Sequence, residues 1–210
     1  MSNYEIKDRK IVFEGVNSVE SITIDNGEKT IEREIVKLSN VVAGIVKDTV
    51  KNKYIFVEQY RAPVDGVMVE IVAGKIDENE TPEEALKREI MEETGYKVDA
   101  MEHVFDFYTS PGRTDEICSL FYVEVSEQVN EGGGIGDERI KIIEVSQLGS
   151  GGRIFFQDPF ANLEQGVEGK IMPPYQLIDA KSLVAVCWLE NSNTLKSMSE
   201  VIMQAKIKSL

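Results

Sequence analysis

The stretch GKIDENETPEEALKREIMEETGY, residues 74–96, decides how the rest of the chain is read. Thr81 stands at a helix N-cap position, Glu84 three residues on completes a capping box, and Pro82 takes the first helical position, where a missing N–H costs least. Gly95 supplies the stop. At ~3.6 residues per turn, Glu89, Glu92 and Glu93 fall within roughly a 100° arc of one face. Like charges this close destabilise a helix by a few tenths of a kcal/mol per pair, so a cation among them accounts for the pattern. Oxygen-only ligands select a hard ion, Mg²⁺ or Mn²⁺. Arg88, one turn before Glu92 and one turn after Glu84, can pair with and orient these carboxylates without competing as a ligand. Leu86 and Ile90 lie beside the acidic arc, so the helix can pack on a core while its acids face a cleft.

An isolated Glu-Glu pair is ordinarily solvated surface, but this stretch is more than that. Gly74, Glu80, Arg88, Glu89, Glu92, Glu93 and Gly95 occupy every invariant position of the Nudix box, with Ile90 and Tyr96 at its two bulky apolar positions. The chain therefore resembles the Nudix hydrolase superfamily. Tyr96 departs mildly, an aliphatic residue being commoner there.

The whole chain has 210 residues, enough for one domain with a sizeable core plus arms. Its 37 acidic and 23 basic residues leave a net charge of −14, which argues against nucleic-acid or anionic-membrane binding, since both need a basic footprint. Cys118 and Cys187 each sit in an apolar run, which predicts two buried thiols in a reducing compartment rather than a disulfide. His103 is the sole histidine and reads as structural, at the edge of a strand. MSNYEIKDRK has no apolar signal core and no stretch reaches the ~20 apolar residues of a membrane span, so a cytoplasmic protein is expected.

Residues 4–37 read as short alternating strands with a hairpin at Asp25-Asn26-Gly27. NVVAGIV (40–46) and YIFVEQYR (54–61) follow as strands, joined at Asn52-Lys53, and the run MVEIVAG leads into Gly74. After the helix, two strand-like runs are joined by Pro111-Gly112-Arg113-Thr114-Asp115. A glycine-rich loop spans 127–139 and reads as flexible; it lacks the Lys-Ser/Thr of a P-loop. An insertion at 150–175 carries Phe155, Phe156, Phe160 and Tyr175, which could line a base or sugar pocket though packing on the core is their simpler use, and Asp179 caps a C-terminal helix.

The resemblance implies further roles. It makes Glu89, Glu92, Glu93 and the carbonyl of Ala73 metal ligands. Pro111, sixteen positions beyond Gly95 and followed by Asp115-Glu116, resembles the subgroup that hydrolyses ADP-ribose and related nucleoside diphosphate sugars. Arg33 and Arg61 match positions of that subgroup that grip phosphates or the terminal ribose, for which a planar guanidinium fork is suited. Glu70 and Glu116 match its substrate-side acids. The subgroup's loop brings a Glu-x-Glu, proposed base first and metal ligand second; here the second aligns with Glu138 but the first with Gly136. The base is left to Glu138, Asp137, Glu116 or a box glutamate.

Together these readings predict a Nudix-type α/β/α sandwich with a mixed sheet, residues 39–210, preceded by an antiparallel β-extension, 1–38, that dimerises the protein by resemblance to nucleotide-sugar enzymes. The expected reaction is Mg²⁺-dependent hydrolysis of a nucleoside diphosphate sugar, ADP-ribose first, with catalytic roles for Glu138, Glu93, Glu92 and Arg88. Alternatives are GDP-mannose, UDP-glucose, a dinucleotide polyphosphate or coenzyme A as substrate, or a weakly catalytic nucleotide-sugar-binding regulator.

Overall fold

The computed structural model describes residues 4–149, 153–155 and 179–192. Strands β1 (Glu5–Glu14), β2 (Ser18–Asp25) and β3 (Thr30–Lys37) form a three-stranded antiparallel sheet of their own. The expected hairpin is present: Gly27 adopts φ 85°, Asp25 accepts its N–H, and Asn26 accepts from Glu28 and Lys29. This sheet is tied to the main body through Val36, whose N–H bonds the Arg113 carbonyl at 2.9 Å, and through a Lys37–Asp115 ion pair.

The main sheet has seven strands: β4 (Val41–Asp48), β5 (Lys53–Arg61), β6 (Gly66–Glu70), β7 (Val72–Lys75), β8 (Tyr96–Tyr108), β9 (Ile117–Gln128) and β10 (Lys141–Val145). Its order is β10-β5-β4-β9-β8, with β4 and β9 parallel and the other pairings antiparallel, a mixed sheet as expected. A short hairpin, β11 (Gln147–Gly149) with β12 (Arg153–Phe155), follows.

Alternation along the strands divides the core between two faces. Val42, Val46, Ile55, Val57, Val123 and Val125 meet α1 (Pro82–Thr94) through Ala85, Leu86 and Ile90. Ala43, Ile45, Phe56, Cys118 and Leu120 meet α2 (180–192) through Ala185, Val186 and Leu189. The result is the expected α/β/α sandwich.

One reading is refined and one changes. MVEIVAG does enter the box from a strand, β7, but the run is split between β6 and β7. β5 pairs with β4 only over Lys53–Ile55; beyond that β6 pairs with β5 and β7 with β4, and the chain switches partner at Ile71. Cys187 lies on the outer side of α2 and is exposed, because the apolar run around it is helical and only part of a helix can face the sheet. Cys118 is buried as expected, which pushes its thiol up to about 12. Phe156, Phe160, Tyr175 and most of the 150–175 insertion lie outside the described residues, as do 193–210.

Candidate active site

The helix start is built as the sequence dictates. Thr81 accepts from the Glu84 N–H at 3.2 Å, and the Glu84 carboxylate accepts from the Thr81 N–H at 2.9 Å. At the far end Gly95, at φ 70°, donates to the Met91 carbonyl. Between these stops the helix turns its acids toward β7.

Arg88 organises them. It bonds Glu80 in bidentate fashion, both contacts at 2.9 Å, reaches the Lys75 carbonyl at 2.9 Å, and places its other amine 2.7 Å from Glu89 and 3.4 Å from Glu92. The bonds it donates to Glu80 and Glu89 raise the guanidinium's pKa, so it stays charged at every working pH. Gly74 explains itself by the same geometry: a Cβ there would lie 1.9 Å from the Glu89 carboxylate. Only a bare backbone lets Glu89 lie against β7.

Glu93 is 5% exposed, and its Oε2 is buried with no hydrogen-bond partner. Burial, then the charge of Glu89, push its pKa up to about 8, against the opposing pull of Arg61 and the Ala73 N–H. Burial also raises Glu89, with Arg88 opposing. Glu138 adds its negative charge to both. An orphaned buried carboxylate oxygen amid acids that repel one another suits a hard dication, for which Glu89, Glu92, Glu93, Glu138 and the Ala73 carbonyl would be the ligands expected from the sequence. Among the described residues no three of these carboxylates close into one chelating cluster, and Arg88 bonds both Glu89 and Glu92.

Arg61, Glu70, Ala73, Gly74 and Glu116 line a cavity of about 450 Å³, with Glu89 lying against Gly74 and Glu93 within the field of Arg61. Arg61 grips the buried Glu70 through two bonds, 2.7 and 2.9 Å. That pairing raises the pKa of Arg61.

Compared with known protein families, residues 38–158 match the NUDIX domain. The chain belongs to the Nudix family. It is 33% identical to the ADP-ribose pyrophosphatase of Bacillus subtilis over 85% of this chain and 86% of that one. It is also 33% identical to the GDP-mannose pyrophosphatase of Cronobacter sakazakii, over 79% and 88%, and 34% identical to the methanol dehydrogenase activator of Bacillus methanolicus, over 85% and 86%. Among solved structures, an ADP compounds hydrolase superposes with a TM-score of 0.59 at 18% identity, covering 69% of this chain and 78% of the other, which shows the shared fold. As a Nudix enzyme the chain is a hydrolase of pyrophosphate bonds.

Within this Nudix site, the structure gathers Arg61, Glu70, Ala73 and Glu116 around one cavity and Arg88, Glu89, Glu92 and Glu93 beside it. Two expected residues lie elsewhere. Pro111 sits on an exposed turn closed by the Arg113 N–H on the Ser110 carbonyl, and that turn bonds to β3 rather than lining the cavity. Arg33, on β3, reaches the neighbouring Glu32 carbonyl and no part of the cavity. His103 lies 2.8 Å from Asp106 and edge-on to Phe121, outside the site.

The glycine loop is more than slack. Gly133 and Gly134 donate to the carbonyls of Glu93 and Glu92, at 2.9 and 3.0 Å, so the loop caps the last turn of α1 and delivers Glu138 beside it. Gly136 has φ 62°, a left-handed conformation in which a glutamate would be strained.

Asp179 and Lys181, both on the cavity wall, were missed as site residues. Asp179 was read correctly as a cap: Oδ2 accepts from the Ser182 N–H at 2.8 Å. What no local signal reveals is that the Ser182 hydroxyl then accepts from the Ile71 N–H, 2.9 Å away, at the strand switch.

Proposed function

We propose that this Nudix hydrolase cleaves the pyrophosphate bond of a nucleoside diphosphate sugar, giving a nucleoside monophosphate and a sugar phosphate. The observation that carries the reading is the orphaned carboxylate of Glu93, set among the box acids and next to a cavity gripped by Arg61 and Glu70. A bound Mg²⁺ would activate a water and offset charge developing on the bridging oxygen. Arg88 holds Glu89 and Glu92 in place, and Arg61 offers its remaining donors to phosphate oxygens. Glu138, whose charge acts on both Glu89 and Glu93, takes the water's proton from the mouth of the loop.

ADP-ribose comes first among the substrates, on the offset of Pro111 from the box; a relative named for ADP-ribose and one named for GDP-mannose are equally similar at 33%. We further infer a cytoplasmic homodimer. The free thiols suit a reducing compartment. In the dimer, β1–β3 carry Arg33 to the partner subunit's cavity, which accounts for an arginine that its own cavity does not use.

The test is a panel of ADP-ribose, GDP-mannose, UDP-glucose and diadenosine polyphosphates with Mg²⁺, products identified by mass. One sugar nucleotide should be cleaved to monophosphate and sugar phosphate, and Glu93→Gln should abolish turnover while leaving the melting temperature within a few degrees. Binding of a sugar nucleotide with no cleavage of any would replace this reading with the regulator.

A further inference from the structure

A second cavity, of about 640 Å³, opens at the other end of the main sheet. Val41, at the start of β4, lines the cavity of Arg61 and Glu70, and Lys47, near the end of the same strand, lines this one. At ~3.3 Å per residue the two lie about 20 Å apart. α2 spans the same gap, with Lys181 on the first wall and Trp188 on the second.

The apolar alternation on this face of the sheet ends here. Along β4 the inward positions run Ala43, Ile45, Lys47, and along β9 Leu120, Tyr122, Glu124, with Lys47 and Glu124 opposite one another in the parallel register. Three half-buried rings, Tyr54, Tyr122 and Trp188, pack against the core and line the cavity. Core packing accounts for the rings but not for Lys47. Among the described residues it makes no ion pair, not even with Glu124, and its ammonium lies 5.5 Å from the centre of the Tyr54 ring. One oxygen of Glu124 accepts from the Tyr122 hydroxyl at 3.3 Å, which leaves the other for a ligand.

Glu102 adds a second carboxylate to the walls, so the cavity sets two acids against one ammonium and disfavours a phosphate. An uncharged flat ring whose edge both donates and accepts gains more. A purine base has such an edge, with a carbonyl or ring nitrogen for an ammonium and an amino group for a carboxylate, and it has a π face for aromatic side chains.

We propose that this cavity is a second binding site, for a purine base: Lys47 donates to a carbonyl or ring nitrogen, Glu124 accepts from an amino group or ring N–H, and the base lies against Trp188 and Tyr54. Occupying it requires neither metal nor cleavage, so it stands apart from the reaction proposed above.

Trp188 is the chain's sole tryptophan, and its fluorescence reports directly on this cavity. The experiment titrates the full chain, without metal, with guanosine, with adenosine and with ribose, which has no aromatic ring. A purine nucleoside should quench the emission saturably at sub-millimolar concentration, and ribose should not. Lys47→Met should weaken the apparent affinity about tenfold, as expected for one charge-assisted hydrogen bond. Glu124→Gln should weaken it too, and carries the comparison if the methionine variant melts early. No saturable quench by either purine, or an equal response to ribose, would overturn the proposal. So would affinities unchanged in both variants, which would put the nucleoside in another cavity.

Discussion

At the scale of single residues, the site depends on an atom that is absent. Gly74 has room for Glu89 only because it lacks a Cβ. Gly74→Ala should therefore push the Glu89 carboxylate off β7, and a displacement of this size costs about a hundredfold in kcat. The change should cost little stability, since Gly74 has no positive φ to relieve. A kcat within threefold of wild type, in a protein that melts normally, would contradict this account of the glycine. The position was legible in the sequence and its reason was not: a box glycine can be recognised by spacing, but the side chain lying over it comes from a residue 15 positions away. Arg88 was read more fully, because its partners at Glu89 and Glu92 are helical neighbours, whereas its bidentate grip on Glu80 closes through the loop before the helix. Tyr96 stood as a departure from the box. Its hydroxyl donates to the buried Asp48 at 2.9 Å and accepts from Lys51, which answers why a phenol suits this position.

At the scale of elements, α1 was legible from end to end because capping box, apolar face and glycine stop are all local signals. Contacts between elements were not. The split of MVEIVAG at Ile71 and its rescue by Ser182 join residues 111 positions apart, and no periodicity records that. The α2 cap carries a pH signature. Burial pushes the Asp179 carboxyl up, but the Lys181 ammonium and the bonds from Lys181 and Ser182 outweigh it and hold the folded pKa below the ordinary value. Arg61 and Glu70 are the other charges near this pair. A depressed carboxylate stabilises the fold above its unfolded pKa of about 3.9, and that stability is lost as pH falls through the lower, folded value. Asp179→Asn keeps a capping oxygen and removes the charge. The gap in urea midpoint between wild type and this variant should be steady near neutral pH and close below about pH 3.9. A gap that widens toward acid would contradict the assigned direction.

At the scale of the whole molecule, the α/β/α body was expected and found, and beside it stands the separate N-terminal sheet. Every residue of β1 is exposed, including Ile11, Val12 and Phe13 at 55–60%, an apolar surface that a monomer rarely leaves to water. The dimer proposed above covers it. Sedimentation should give twice the chain mass at micromolar concentration, and Phe13→Asp should shift the protein toward monomer; a wild type that sediments as a monomer would remove the dimer and with it the use assigned to Arg33. The central claim is that this molecule's chemistry depends on a divalent cation among the box acids. Its most direct test is cleavage of the preferred sugar nucleotide followed first in excess EDTA and then after Mg²⁺ is restored. The account predicts turnover lost in EDTA and recovered with Mg²⁺; turnover undiminished in EDTA would contradict it.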